Sequence, residues 1–334
     1  MPLRGIYRLL LSGRGIFYSH IKCPRQLPAR VISVGNLTLG GTGKTPCVIA
    51  IANEALKRGI RPCILTRGYK GDARGTCLVT RGDGPLVTPS ESGDEAFLMA
   101  ERLRGAMVVK DPDRYRGGRY ILDHIKSIIT RPESQIVFIL DDGFQHIQLK
   151  RDIDIVLIDS TVSLSKERLF PAGRLREPIS GLSRADIIVL TKTEQAREDI
   201  LSENREIILR YKPTAPLYYS QYKLGGVVDP SGNIRGDYDL RNKRVYAFAG
   251  IADPSHFESM LLSIGADIVK FKTFRDHHIY TINDVDRIME EARGLDIITT
   301  EKDMVKVKGI RQLDNLYALR IEFLIEDGFY NKLF

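Results

Sequence analysis

The 334-residue sequence predicts an α/β protein in which a largely parallel sheet flanked by helices is followed by a smaller α/β unit. Three observations predict it. Short apolar runs alternate with helix-length segments, as expected for strands buried on both faces of a parallel sheet. A glycine-rich loop stands directly between the first such strand and the first such helix. A segment marked by Gly225-Gly226 and Pro230-Ser231-Gly232 divides two stretches of the pattern. With 43% hydrophobic residues, the chain can fill two cores.

The elements follow in order. Leu3, Ile6, Tyr7 and Leu10 fall at i, i+3, i+4 and i+7 with Arg4 and Arg8 opposite, the pattern of a basic amphipathic helix. Gly13 and Gly15 weaken it before a second apolar cluster of Ile16, Phe17, Tyr18 and Ile21. Such a segment suits a membrane interface, where each arginine near anionic headgroups contributes about 1 kcal/mol. The same periodicity would serve packing on its own domain. From residue 31 the order is strand 31–34, the glycine loop, helix 46–57 and strand 62–66, a β-α-β unit. Apolar runs at 106–109, 136–140, 153–158 and 187–190 extend the sheet. Residues 217–222 and 227–228 read as short strand pieces of a hairpin-like linker. A strand at 244–249, a helix after Pro254, a strand at 267–271, a helix over 283–293 and a strand at 296–299 make the smaller unit. The expected organisation is 1–30, a membrane-interface segment; 31–213, a nucleotide-binding domain; 214–238, the linker; and 239–334, a C-terminal α/β domain.

Charge and cysteine usage narrow the function classes. The net charge is +8, yet no acidic residue precedes Glu54, whereas Arg4, Arg8, Arg14, Lys22, Arg25, Arg30 and Lys44 all do. The excess sits at one end, which favours an anionic lipid surface over nucleic acid. No apolar run reaches the roughly 18 residues needed to cross a bilayer, and none resembles a cleaved signal peptide. Cys23, Cys47, Cys63 and Cys77 lie far apart without a C-x-x-C pair, which argues against a zinc site or disulfide framework and suits a reducing cytosol.

The strongest local signal is Gly40-Gly41-Thr42-Gly43-Lys44-Thr45. Glycines let a backbone wrap phosphates closely, so that N–H groups and the helix start meet the negative charge. Lys44 would reach the β- and γ-phosphates of ATP, and the Thr45 hydroxyl would sit on Mg²⁺. This makes the sheet P-loop NTPase-type, although Thr38 occupies the position where the usual spacing has glycine. The run 136–140 ends in Asp141-Asp142-Gly143, placing carboxylates at the carboxyl end of a buried strand, where such sheets bind ligands and hold Mg²⁺.

Together with these, Gly35-Asn36-Leu37-Thr38, Thr66-Arg67-Gly68-Tyr69, Gly93-Asp94-Glu95, Asp141-Asp142-Gly143-Phe144-Gln145-His146, Pro171-Ala172-Gly173-Arg174-Leu175-Arg176-Glu177-Pro178, Asp276-His277-His278 and Thr300-Glu301-Lys302-Asp303 resemble the tetraacyldisaccharide 4'-kinase family, in the family's order over almost the whole chain. The Thr38 departure is itself a family feature. The resemblance implies transfer of the ATP γ-phosphoryl group to the 4'-hydroxyl of an acylated glucosamine disaccharide 1-phosphate, in lipid A biosynthesis at the cytoplasmic face of the inner membrane. It implies Asp94 as the base that accepts the hydroxyl proton and His277 as its partner, joined by Lys44 and Asp142 in catalysis. Asp94 precedes residue 213 and His277 follows 239, so domain closure would assemble the site. Read alone, Asp94 is an N-cap or first-turn acid of a helix over 95–99, and His277 and His278 are turn residues whose side chains diverge too far to share a metal. Arg67, Arg114, Arg174 and Arg176 suit ATP phosphates or the substrate 1-phosphate, since guanidinium binds phosphate in bidentate fashion. Asn36, Glu95, Gln145, His146 and Glu177 are expected to line the site. No obligate protein partner is expected.

A P-loop GTPase-type switch is the main rival. Thr191-Lys192-Thr193-Glu194 after the strand 187–190 faintly resembles a guanine-recognition motif, but glutamate stands where its closing aspartate belongs. A nucleic-acid-binding module would explain the charge and leave Asp141-Asp142 without a role.

Overall fold

The computed structural model describes residues 23–125, 135–236 and 238–334. The first half contains β1 (Val31–Asn36), α1 (Lys44–Lys57), β2 (Arg61–Thr66), β3 (Cys77–Thr80), α2 (Asp94–Arg102), β4 (Met107–Lys110), α3 (Arg114–Ile125), β5 (Ile136–Asp141), β6 (Ile153–Asp159), β7 (Ile187–Thr191) and α4 (Glu198–Tyr211). Then come β8 (Leu217–Val228), β9 (Arg244–Ala249), α5 (Pro254–Ile264), β10 (Asp267–Thr273), α6 (Ile282–Ala292), β11 (Asp296–Thr300), α7 (Glu301–Val307), β12 (Leu316–Ile325) and α8 (Asp327–Leu333).

All the named strands join one 12-stranded sheet in the order β10-β9-β11-β12-β8-β7-β6-β1-β5-β2-β4-β3. The strands near β1 are parallel and buried throughout, which is why they read as unbroken apolar runs rather than alternating ones. One face of this half is covered by α1 and α2, which bury Val48, Ile51, Ala96 and Met99 against Val34 and Ile139. On the other face α3 packs Ile121 and Leu122 on Phe138, and α4 packs Ile208 in a cluster with Leu37, Phe144 and Ile188.

The 214–238 segment differs from the expected pair of short pieces. Residues 217–228 form one strand, parallel to β7 at Leu217–Tyr219 and antiparallel to β12 from Ser220 to Val228. The glycines that suggested a break are absorbed as an irregularity opposite Arg320 and Ile321, with Gly226 at φ +122°. The turn comes later, where Asn233 O accepts from Asp229 N and Ile234 bridges back to Val228.

Residues 23–30, assigned above to a membrane-interface segment, belong to the first core. Leu27 is buried beside Phe138, and Arg25 bonds Asp113 at 2.7 Å and covers the Tyr115 ring. The basic amphipathic pattern at residues 3–21 lies outside the described residues. At the other end, α8 leaves the C-terminal unit and buries Phe329 and Leu333 in the α1 core. Among the described residues, no helix is long and apolar enough to cross a membrane.

Candidate active site

The site gathers at the carboxyl ends of the parallel strands. Asn36 ends β1 fully buried, and its Nδ2 donates to Thr42 Oγ1 at 2.8 Å, tying the strand to the loop it launches. Thr191, ending β7, donates to the Thr42 carbonyl at 3.2 Å. Gly43 takes φ +87° as the residue before α1, and no side chain caps the helix. The first N–H groups of α1 are thus left for a ligand. Pro46 is tolerated so early because its missing N–H would have no intrahelical partner. Lys44 and Thr45 open the helix.

A second segment walls the loop. Arg174 O accepts from Leu39 N and Arg176 N donates to Leu37 O, each at 2.7 Å, so the Pro171–Pro178 block pairs its backbone with the loop. A small cavity lined by Thr38, Gly40, Asp159, Leu164 and Arg174 opens beside it. Glu177, nearly buried, accepts from Gln145 Nε2 at 2.8 Å and pairs with Arg184 at 2.7 Å. Gln145 also donates to the Asn36 carbonyl at 2.8 Å, so these two side chains brace the loop from behind. The main chain of His146 closes the turn after Gly143 and accepts from Arg151. Arg174 turns to Glu167, whereas Arg176 Nη1 donates to both carboxylate oxygens of Asp142 at 2.7 and 2.8 Å.

The paired aspartates are held differently. Asp142 sits at φ +52°, with Lys44 Nζ 3.6 Å from its carboxylate. Burial pushes its carboxyl up, but Lys44 and Arg176 outweigh that and hold it below the usual range. Asp141 accepts from the Thr66 hydroxyl at 3.0 Å through Oδ2, while its buried Oδ1 has no hydrogen-bond partner among the described residues. Burial, then the charges of Glu95 and Asp142, push this carboxyl up to about 7. Arg114 is buried alongside and donates to the Asp141 and Asp111 carbonyls, whereas Arg67 is exposed.

Asp94 and His277, 183 positions apart, meet with Oδ2 3.0 Å from Nδ1. Gly93 lets the chain turn sharply into α2, because a Cβ there would lie 2.6 Å from the Tyr69 carbonyl. Oδ1 of Asp94 accepts the Glu95 N–H at 3.0 Å, as a first-turn acid does, and Oδ2 faces the histidine. His277, at φ +54°, is pinned by its N–H on Gly250 O, by Lys70 Nζ on its own carbonyl and by the edge of Tyr69 at 5.0 Å. His278 turns away to Asp284 and stacks on Phe274. Burial pushes the Asp94 carboxyl up, yet the His277 bond with Lys302 and Lys306 holds it below the usual range.

The approach of Lys302 and Lys306 to Asp94, and of Lys302 to Glu95, was not legible in the sequence, because those acids lie about two hundred positions away. Also missed was the contact of Tyr222 with the loop, where a Cβ on Gly43 would collide with the tyrosine hydroxyl. Lys192, centre of the guanine-like segment, is buried and paired with Asp159 at 2.7 Å and Asp253 at 3.4 Å.

The family model described as LpxK, tetraacyldisaccharide-1-P 4'-kinase, matches residues 1–334. The chain belongs to this kinase family. Proteins named tetraacyldisaccharide 4'-kinase from Desulfotalea psychrophila and Halothermothrix orenii are 36% and 35% identical to it, over 98% and 97% of this chain and 93% and 88% of theirs. The crystal structure of LpxK from Aquifex aeolicus in complex with ATP superposes with a TM-score of 0.79 at 33% identity, covering 99% of this chain and 95% of that one. This kinase therefore shares the fold as well as the sequence pattern of the family.

Proposed function

We propose that this kinase transfers the γ-phosphoryl group of ATP to the 4'-hydroxyl of a tetraacylated glucosamine disaccharide 1-phosphate, forming the lipid IVA-type bisphosphate of lipid A biosynthesis at the cytoplasmic face of the inner membrane. The observation that carries this reading is the Asp94–His277 pair at 3.0 Å, built from both units of the chain, with the adjacent Glu95 acting on Asp141 through its charge.

In this reading the N–H groups at the start of α1 and Lys44 hold the phosphates, and Asp94 accepts the proton of the attacking hydroxyl. The sugar oxygen bonds to the γ-phosphorus as the bond to the β–γ bridging oxygen breaks, and ADP leaves. Asp94 is suited to this because its carboxyl stays ionised at neutral pH while His277 fixes its direction. Arg176 and Lys44 hold Asp142, and a substrate phosphate is assigned to Arg67, whose exposure supports the assignment.

Mg²⁺ fits the acids present. Asp141 Oδ1 is a buried oxygen without a hydrogen-bond partner among the described residues, and a cation there would relieve the crowding of Asp141, Asp142 and Glu95. Among the described residues no group of three His, Cys, Asp or Glu could hold a metal, which suits an ion that takes most ligands from nucleotide and water. Thr45 and Asp141 would hold it, with Asp142 orienting them, and it would supply charge neutralisation at the phosphate oxygens. Attachment to the anionic membrane surface is assigned to the basic amphipathic residues 3–21.

The test is transfer of label from γ-labelled ATP to tetraacyldisaccharide 1-phosphate in detergent micelles. Mg²⁺-dependent bisphosphate product is expected, falling by roughly 10²- to 10⁴-fold in Asp94→Asn and lost in Lys44→Ala. Hydrolysis of GTP without lipid product would overturn the reading.

A further inference from the structure

The ammonium of Lys302, near the start of α7, lies 3.2 Å from His277 Nε2 and 3.2 Å from Glu95 Oε1, with Asp276 Oδ1 at 3.9 Å and Asp94 Oδ2 at 4.0 Å. Burial works against its charge, but Glu95, Asp94 and Asp276 outweigh burial and keep it protonated. An ammonium has three N–H donors and no lone pair, so the imidazole atom facing it must accept. Only an imidazole unprotonated at Nε2 can do so. Its one proton then sits on Nδ1, aimed at Asp94 Oδ2.

We propose that Lys302 is a positioning residue that locks His277 as the neutral Nδ1–H tautomer, so that the imidazole orients Asp94 and does not itself take the hydroxyl proton. This rests on the reading of Asp94 as the base. The groups around His277 agree with it. From α2 come Asp94 and Glu95, from its own loop Asp276, and from the Tyr69 loop the Lys70 amine on the His277 carbonyl. From α7 come Lys302 and Lys306, the latter 3.9 Å from Asp94 and bonded to Asp303 at 2.8 Å. Asp94 and Asp276 thus lie within 4 Å of the ring nitrogens, while Glu95 bonds Lys302. A second proton on the ring would make it an imidazolium, and an imidazolium bonded to Asp94 makes that carboxylate a poorer base. The lysine counters this by claiming the nitrogen that would take the proton.

The experiment is a long-range ¹H–¹⁵N correlation spectrum of the full-length protein labelled at histidine, recorded between about pH 6 and 8, with the His277 signal assigned by its loss in His277→Gln. The wild type should show the neutral Nδ1–H pattern throughout. Lys302→Met should show protonation at Nε2 as pH falls, and Lys302→Arg should keep the wild-type pattern. Lys302→Met should also lower kcat about ten-fold or more with KM for ATP unchanged, as expected when a base loses its oriented tautomer. A wild-type signal already protonated at Nε2 overturns the proposal, and so does a Lys302→Met protein with an unaltered histidine pattern. If Lys302→Met does not fold, the wild-type and Lys302→Arg spectra still decide it. The spectrum requires neither ATP nor lipid, so failure of the assigned reaction leaves it readable and is told apart from failure of the tautomer lock.

Discussion

Asp141 and Asp142 are neighbours in sequence, yet the fold separates their chemistry. Asp142 is matched by two cations, whereas Asp141 is buried against other acids and its carboxyl rises from 3.8 to about 7. Between those values the native state holds a proton that the unfolded state has lost, so Asp141 makes the nucleotide-free protein less stable as pH rises through that window. Asp141→Asn should therefore be more stable than wild type at pH 8, by roughly 1–3 kcal/mol, with the gain shrinking toward pH 4. Thermal denaturation without nucleotide at the two pH values measures it; a variant less stable than wild type at pH 8 would count against the assignment. The presence of paired acids at a strand end was legible from the sequence. Which of them would have its carboxyl pushed up was not, because Arg176 and Glu95 reach them from 34 residues beyond Asp142 and from a different helix.

The element that sets the nucleotide site is the turn from β1 into α1, and its critical residue is Gly43. The left-handed backbone there disfavours any side chain by about 1–2 kcal/mol, and Tyr222 of β8 occupies the space a Cβ would need. Gly43→Ala should raise KM for ATP at least about ten-fold, because the helix N–H groups shift from where phosphate must lie, and Gly43→Ala combined with Tyr222→Leu should recover part of the loss. Steady-state kinetics over an ATP series tests both; full activity of the single variant would show that the loop tolerates the displacement. This loop could be read directly, since strand, glycines, Lys44 and helix are contiguous. β8 was harder to read. Gly225-Gly226 carries turn chemistry, but pairing to β12 on one side overrides it and draws residues 217–228 into one strand.

At the scale of the whole molecule, the two halves are joined by more than a linker. β8 pairs with both, Asp94 meets His277 across them, and α8 places Phe329 and Leu333 beneath α1 with Arg58 bonded to Asn331. Phe329→Ala should cost about 3–5 kcal/mol and weaken the nucleotide-binding half although the residue lies at the C-terminus. Chemical denaturation followed by a probe in each half should show both transitions moving together. A shift confined to the C-terminal half would contradict this coupling.

Local pattern alone determined the α/β class, the buried parallel strands and the phosphate loop, because each depends on residues adjacent in the chain. The order of the quoted blocks pointed to the kinase family. Only the tertiary structure decided that residues 23–30 belong to the first core, that the last helix returns to it, and that Lys302 stands on His277. Those facts depend on contacts between segments tens to hundreds of residues apart, which periodicity cannot encode. In the site, the charge on each carboxylate follows from which cations the fold brings within about 4 Å, a property of folded space and not of any stretch of sequence.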